Sequence, residues 1–134
     1  MVNLEYESDL PDEELGNKWV RVLFDVLKKL PVHVQTKLRK EVTVFFAYNK
    51  TGTYIDSRKK LIYLNCFQME LVKMPIWAKR YIVVHEFAHA YSGSRDEKVA
   101  ISLMEEWGFR DYERYCKWSN ILQINSGISL RESK

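Results

Sequence analysis

The first regular pattern along the chain is a stripe of apolar residues, Leu15, Trp19, Val22, Leu23, Val26, Leu27 and Leu30, spaced three and four apart. That spacing predicts one face of a scaffold helix. Pro11 followed by Asp12, Glu13 and Glu14 suits its first turn, where acids favour the positive end of the helix dipole, and Pro31 ends it. Residues 1–10 are polar and acidic without periodicity, and 32–41 carry an ambiguous, short helical pattern.

Strand patterns follow. Residues 42–48 are β-branched and aromatic, and Asn49, Lys50, Thr51 and Gly52 are turn formers. Residues 53–56 read as a second strand, 57–60 as a basic turn, and Leu61, Ile62, Tyr63, Leu64 and Asn65 as a third strand. A short helix over 66–72 closes before Pro75, which suits the first turn of the next helix.

That helix contains no charge from Tyr81 to Val84 or from Phe87 to Tyr91, so it is expected to be buried nearly all round. Gly93 ends it as a C′ glycine. Ser94, Arg95, Asp96 and Glu97 then have the form of a capping box, starting a helix that runs to Trp107 and stops at Gly108. Val99, Ala100, Leu103, Met104 and Trp107 mark its apolar face. A last helix over 111–124 precedes a tail over 125–134. The pattern predicts an α+β domain with an N-terminal scaffold helix, a short, mostly antiparallel three-stranded sheet, and four further helices.

Composition narrows the class. At 134 residues the chain makes one domain, 1–134, and its 46% hydrophobic and 29% charged residues are ordinary for a globular protein. No apolar run is long enough to cross a bilayer, and the acidic start is unlike a signal peptide, so no membrane partner and a cytoplasmic location are expected. Two cysteines, Cys66 and Cys116, do not make a disulfide framework. A net charge of +3 is too small to imply a nucleic-acid partner.

Within that helix, across the gap between the two stretches without charge, lies His85-Glu86-Phe87-Ala88-His89. Two His four apart stack on one helix face, so both imidazoles can reach one ion. Glu86 lies about 100° around from His85, placed to take a proton from water beside the ion. The plain alternative is a pair of core histidines. Three ionisable groups in so apolar a helix are costly to bury unless paired or metal-bound, which favours the metal.

Catalytic zinc takes three protein ligands. Asp96 and Glu97 follow across the Gly93 turn, and a helix leaving that turn antiparallel returns one of these carboxylates to the ion. His33 stands alone between two valines and is read as an ordinary residue.

His85-Glu86-Phe87-Ala88-His89 followed by Glu97-Lys98-Val99-Ala100 resembles the gluzincin pattern, HExxH and then ExxA on a second helix. The short spacer is most similar to the minimal soluble gluzincins, the minigluzincins, over roughly residues 42–108. The resemblance implies a zincin-like fold and a zinc endopeptidase of peptides or unfolded proteins. In it His85, His89 and Glu97 hold Zn2+, and Glu86 is the general base for zinc-bound water. It implies that Leu61–Asn65 is a sheet edge along which substrate lies by strand addition. It also implies that the C-terminal segment 109–134 can cover the cleft as in a zymogen, within a monomer or swapped in a dimer. Cys116 is read as a buried free cysteine, with a blocking zinc ligand as the alternative. One departure is Ile101, where many gluzincins carry an Asp that orients the first His. Asp96 stays open as the third ligand if Ser94 caps Glu97.

Tyr91, Tyr112 and Tyr115 are available as oxyanion donors. Two other readings compete with the endopeptidase: a metal amidase taking Cys66 or Cys116 as third ligand, and a non-catalytic zincin-like module with structural zinc or a peptide-binding role.

Overall fold

A computed structural model describes residues 4–48, 54–56 and 61–126 of the chain. The turns expected at 49–52 and 57–60, the start of the second strand at Thr53 and the tail beyond 126 lie outside the described residues.

The chain opens with β1 (Glu5–Ser8), followed by α1 (Glu13–Lys29) and α2 (Val32–Glu41). Next come β2 (Thr43–Ala47), β3 (Tyr54–Asp56) and β4 (Leu61–Asn65). The remaining helices are α3 (Cys66–Leu71), α4 (Ile76–Ser92), α5 (Glu97–Glu106) and α6 (Tyr112–Ser126). Among the described residues no helix is long and apolar enough to cross a membrane.

The architecture is α+β, but the sheet differs from expectation in both size and direction. It has four strands in the order β1-β2-β4-β3. β1 pairs with β2 in parallel and β2 pairs with β4 in parallel; only β3 and β4 are antiparallel. The first parallel pair follows from its connection, since α1 and α2 carry the chain back over the sheet before β2 begins. After β2 the chain passes to β3 at the far edge and returns as β4 between them.

That topology corrects a second expectation. Leu61–Asn65 is not a sheet edge: β4 lies between β2 and β3, with Leu61, Ile62 and Tyr63 opposite Asp56, Ile55 and Tyr54. Among the described residues β3 pairs with β4 as far as Tyr63, and the edges of the sheet are β1 and β3.

Side chains alternate across β2 and β4. Val44, Phe46, Ile62 and Leu64 are buried, whereas Phe45 and Tyr63 are half-buried on the other face with rings 5.3 Å apart. The α1 stripe supplies Trp19, Val22, Leu23, Val26 and Leu27 to the core, and α1 packs on α4. Asp12 caps α1 by accepting the Leu15 N–H at 2.8 Å.

A buried charge node ties α1, α3 and α4 together. Lys79 Nζ lies 2.6 Å from Glu70 Oε2, which also accepts the Trp19 indole N–H at 3.1 Å. Lys79 additionally sits 5.0 Å from the centre of the Trp19 ring. The Lys79 side chain is 4% exposed, a position a cation holds only when paired.

Candidate metal centre

Helix α4 begins after Pro75, which needs no N–H there, and ends at Gly93 with φ of 70°, a left-handed conformation that glycine adopts without strain. Every residue over 82–90 is buried. Apolar side chains all round seat this helix in the core and carry His85, Glu86 and His89 inward with it, at 3%, 0% and 1% exposure. One helical turn separates the histidines, and their ring centres lie 4.9 Å apart.

The turn after Gly93 determines which acid meets them. Ser94 Oγ accepts the Asp96 N–H at 3.0 Å, and Asp96 caps α5 by accepting the Lys98 N–H at 2.9 Å. The expected capping box between Ser94 and Glu97 is therefore replaced by an Asp96 cap. Glu97, the first residue of α5, turns to the histidines. Its Oε1 is 2.6 Å from His85 Nε2 and its Oε2 is 3.4 Å from His89 Nε2. Asp96 is exposed and engaged as a cap, so Glu97 is the acid that joins the pair.

Burial works against ionisation of Glu97, yet hydrogen bonds from His85 and His89, and their charge, hold its carboxyl well below the usual carboxylate range. The Ser94 backbone carbonyl accepts a hydrogen bond from His89 Nδ1 at 2.7 Å. A carbonyl can only accept, so Nδ1 carries a proton, and Nε2 is the nitrogen of His89 that faces Glu97. His85 has no such support: its Nδ1 is buried without a hydrogen-bond partner among the described residues.

His85, His89 and Glu97 form a group that could hold a metal ion, with ligand atoms all within 4.8 Å of one another. Bond lengths of about 2.0 Å in a tetrahedral site put donor atoms roughly 3.3 Å apart. The separations of 2.6, 3.4 and up to 4.8 Å bracket that spacing. Two imidazoles and one carboxylate are also a donor set that zinc accepts. Neither Cys66 nor Cys116 belongs to the group, and His33 is exposed on α2, outside it. Burial and the Glu70 carboxylate push the Cys66 thiol well above its ordinary pKa, which makes it a poor thiolate ligand.

Of the tyrosines, Tyr91 packs on Trp107 and under Lys37. Tyr112 and Tyr115 of α6 instead flank the His85 ring, at 5.9 and 6.1 Å between centres. The α5 apolar face holds at Ala100, Met104 and Trp107, whereas Val99 is exposed. The Ser94 carbonyl had no signature in the sequence, because a backbone oxygen is placed by the turn and not by residue type.

The fold and this site together define a small α+β domain with a two-histidine, one-carboxylate group on adjoining helices. Comparison of the chain with protein-family models, with characterised proteins and with solved structures returned no match.

Proposed function

We propose that the protein is a zinc-dependent endopeptidase of the gluzincin type, most similar to the minigluzincins, acting on peptides or unfolded proteins. The observation that carries this reading is the convergence of His85 Nε2, His89 Nε2 and the Glu97 carboxylate, with His89 oriented by the Ser94 carbonyl. A ligating His that donates its other N–H to a carbonyl is the usual outer-shell arrangement of a metal site.

His85, His89 and Glu97 would hold the zinc. Bound there, zinc supplies Lewis acidity that lowers the pKa of water toward about 7 and polarises a carbonyl. Glu86 is wholly buried beside His85. Its carboxylate takes a proton from the attacking water and passes it to the leaving amine nitrogen, as a general base and then an acid. Three protein ligands among the described residues favour a catalytic site over a structural one, which is typically closed by four.

An extended substrate pairs along the outer side of β3, the sheet edge nearest α4. The segment 109–134 includes α6, which packs against α3 and α4; the chain after the first turn of α6 would cover the cleft and make the enzyme latent. Cys66 and Cys116 are both free, in keeping with a reducing, cytoplasmic setting.

The test is hydrolysis of an unfolded protein by the zinc-loaded chain, before and after limited proteolysis of its C-terminus. Glu86→Gln should retain stoichiometric zinc and abolish cleavage. Wild-type chain that binds zinc yet never cleaves in either state would favour the non-catalytic zincin-like module.

A further inference from the structure

We infer that the first turn of α6 belongs to the metal centre, where the Tyr112 and Tyr115 rings hold the His85 imidazole toward the ion in place of a hydrogen bond at Nδ1. This rests on the metal reading above and concerns how that site is built.

The two histidines are supported differently. His89 is fixed through Nδ1 by a carbonyl at 2.7 Å, and His85 Nδ1 is buried with no partner among the described residues. Ile101 stands one turn after Glu97 on the same face of α5, and it offers no acceptor. Rings surround His85 instead. The Tyr112 and Tyr115 rings stand at 76° and 75° to the imidazole, and the His89 ring closes a third side. Two walls nearly perpendicular to an imidazole oppose its rotation about the Cβ–Cγ bond.

Those walls are themselves anchored to α4. Tyr115 is fully buried and stacks on Tyr81 at 5.7 Å and 20°. Tyr81 precedes His85 by one turn of the same helix, and its hydroxyl accepts the Asp111 N–H at 2.7 Å. The Phe109 ring meets Tyr81 at 5.7 Å, and the Arg114 guanidinium lies 4.1 Å from the centre of the Trp77 ring. Trp77, Tyr81, His85 and His89 thus form one stripe, and the start of α6 is clamped along its first three members. The consequence separates α6 from a simple cover: its first turn positions a ligand, so a chain cut before Phe109 would lose metal affinity.

Tyr112 and Tyr115 are positioning residues, and metal affinity in the full-length chain reads their role directly. Zinc dissociation constants by chelator competition should rise about tenfold in Tyr112→Leu and in Tyr115→Leu, the lower end of the effect of outer-shell partners. Tyr112→Phe and Tyr115→Phe, which keep the rings, should stay within about twofold of wild type. Visible absorption of the Co2+-loaded chain should shift in the Leu variants and not in the Phe variants. Circular dichroism and melting of the metal-free forms identify any variant that does not fold. Tyr112 is only half-buried and supplies the decisive variant if Tyr115→Leu fails that check. A folded Tyr112→Leu with wild-type zinc affinity and an unchanged cobalt spectrum overturns the inference while leaving the metal reading intact. Wild-type chain that binds no zinc, or binds it as tightly after His89→Ala, overturns the metal reading itself.

Discussion

His89 and Ser94 are joined by a 2.7 Å hydrogen bond from the imidazole Nδ1 to a backbone carbonyl on the far side of the Gly93 turn. The turn that reverses the chain therefore also sets which nitrogen of His89 is available. The same turn delivers Glu97 to the two Nε2 atoms, so a few residues of irregular backbone assemble the centre.

Neighbouring acids in that turn have opposite roles. Glu97→Gln is expected to weaken zinc binding by at least about 100-fold, because the charged ligand is lost. Asp96→Ala should leave zinc affinity near wild type and lower stability by about 1 kcal/mol through loss of the α5 cap. Isothermal titration and urea unfolding of the two variants separate these outcomes.

Glu97 also gives the metal-free chain an acid-sensitive contribution. Its carboxyl is held below the ordinary value in the folded state, so at intermediate acidity the unfolded chain binds more protons than the folded one. The stabilisation is complete above the ordinary carboxylate range and is lost as pH falls through the lowered value. Glu97→Gln should therefore destabilise the metal-free chain at about pH 6, with a gap that narrows on acidification, as read from urea midpoints. The side chain is 37% exposed, and solvent screening keeps the effect small.

The Glu70–Lys79 pair is a stability feature separate from the candidate metal centre. Removing one partner strands a buried charge, so Glu70→Leu should cost about 3 kcal/mol, whereas Glu70→Leu with Lys79→Met together should cost much less. A thermodynamic cycle from chemical unfolding of the single and double variants measures the coupling.

Neither cysteine is expected to hold the metal. Cys66→Ala and Cys116→Ala should each keep full zinc stoichiometry, which would dismiss both a cysteine third ligand and a blocking cysteine. In native chain a thiol reagent should label half-buried Cys116 first and reach Cys66 only on unfolding, because burial keeps the Cys66 thiol protonated.

The helices were legible where apolar periodicity and end signals agreed: the Leu15 to Leu30 stripe of α1, and α4 between Pro75 and Gly93. β1 was not, because all four of its residues are exposed and two are glutamates, so the strand lacks the alternation that burial of one face imposes. Parallel pairing of β2 with β4 also left no local trace, since strand direction is set by the connections and not by composition. At the site, the His85 and His89 spacing carried the histidines, and helix geometry could not choose between Asp96 and Glu97. That choice fell to the cap, where Asp96 outcompeted Ser94. The tyrosine wall around His85 was hidden because it depends on where α6 docks.

The most direct test of the central claim is anomalous diffraction at the zinc edge from crystals of the zinc-loaded chain. The account predicts one strong peak about 2.0–2.2 Å from His85 Nε2, His89 Nε2 and a Glu97 carboxylate oxygen. No peak among those three side chains, with Glu97 still hydrogen-bonded to His85, would contradict it.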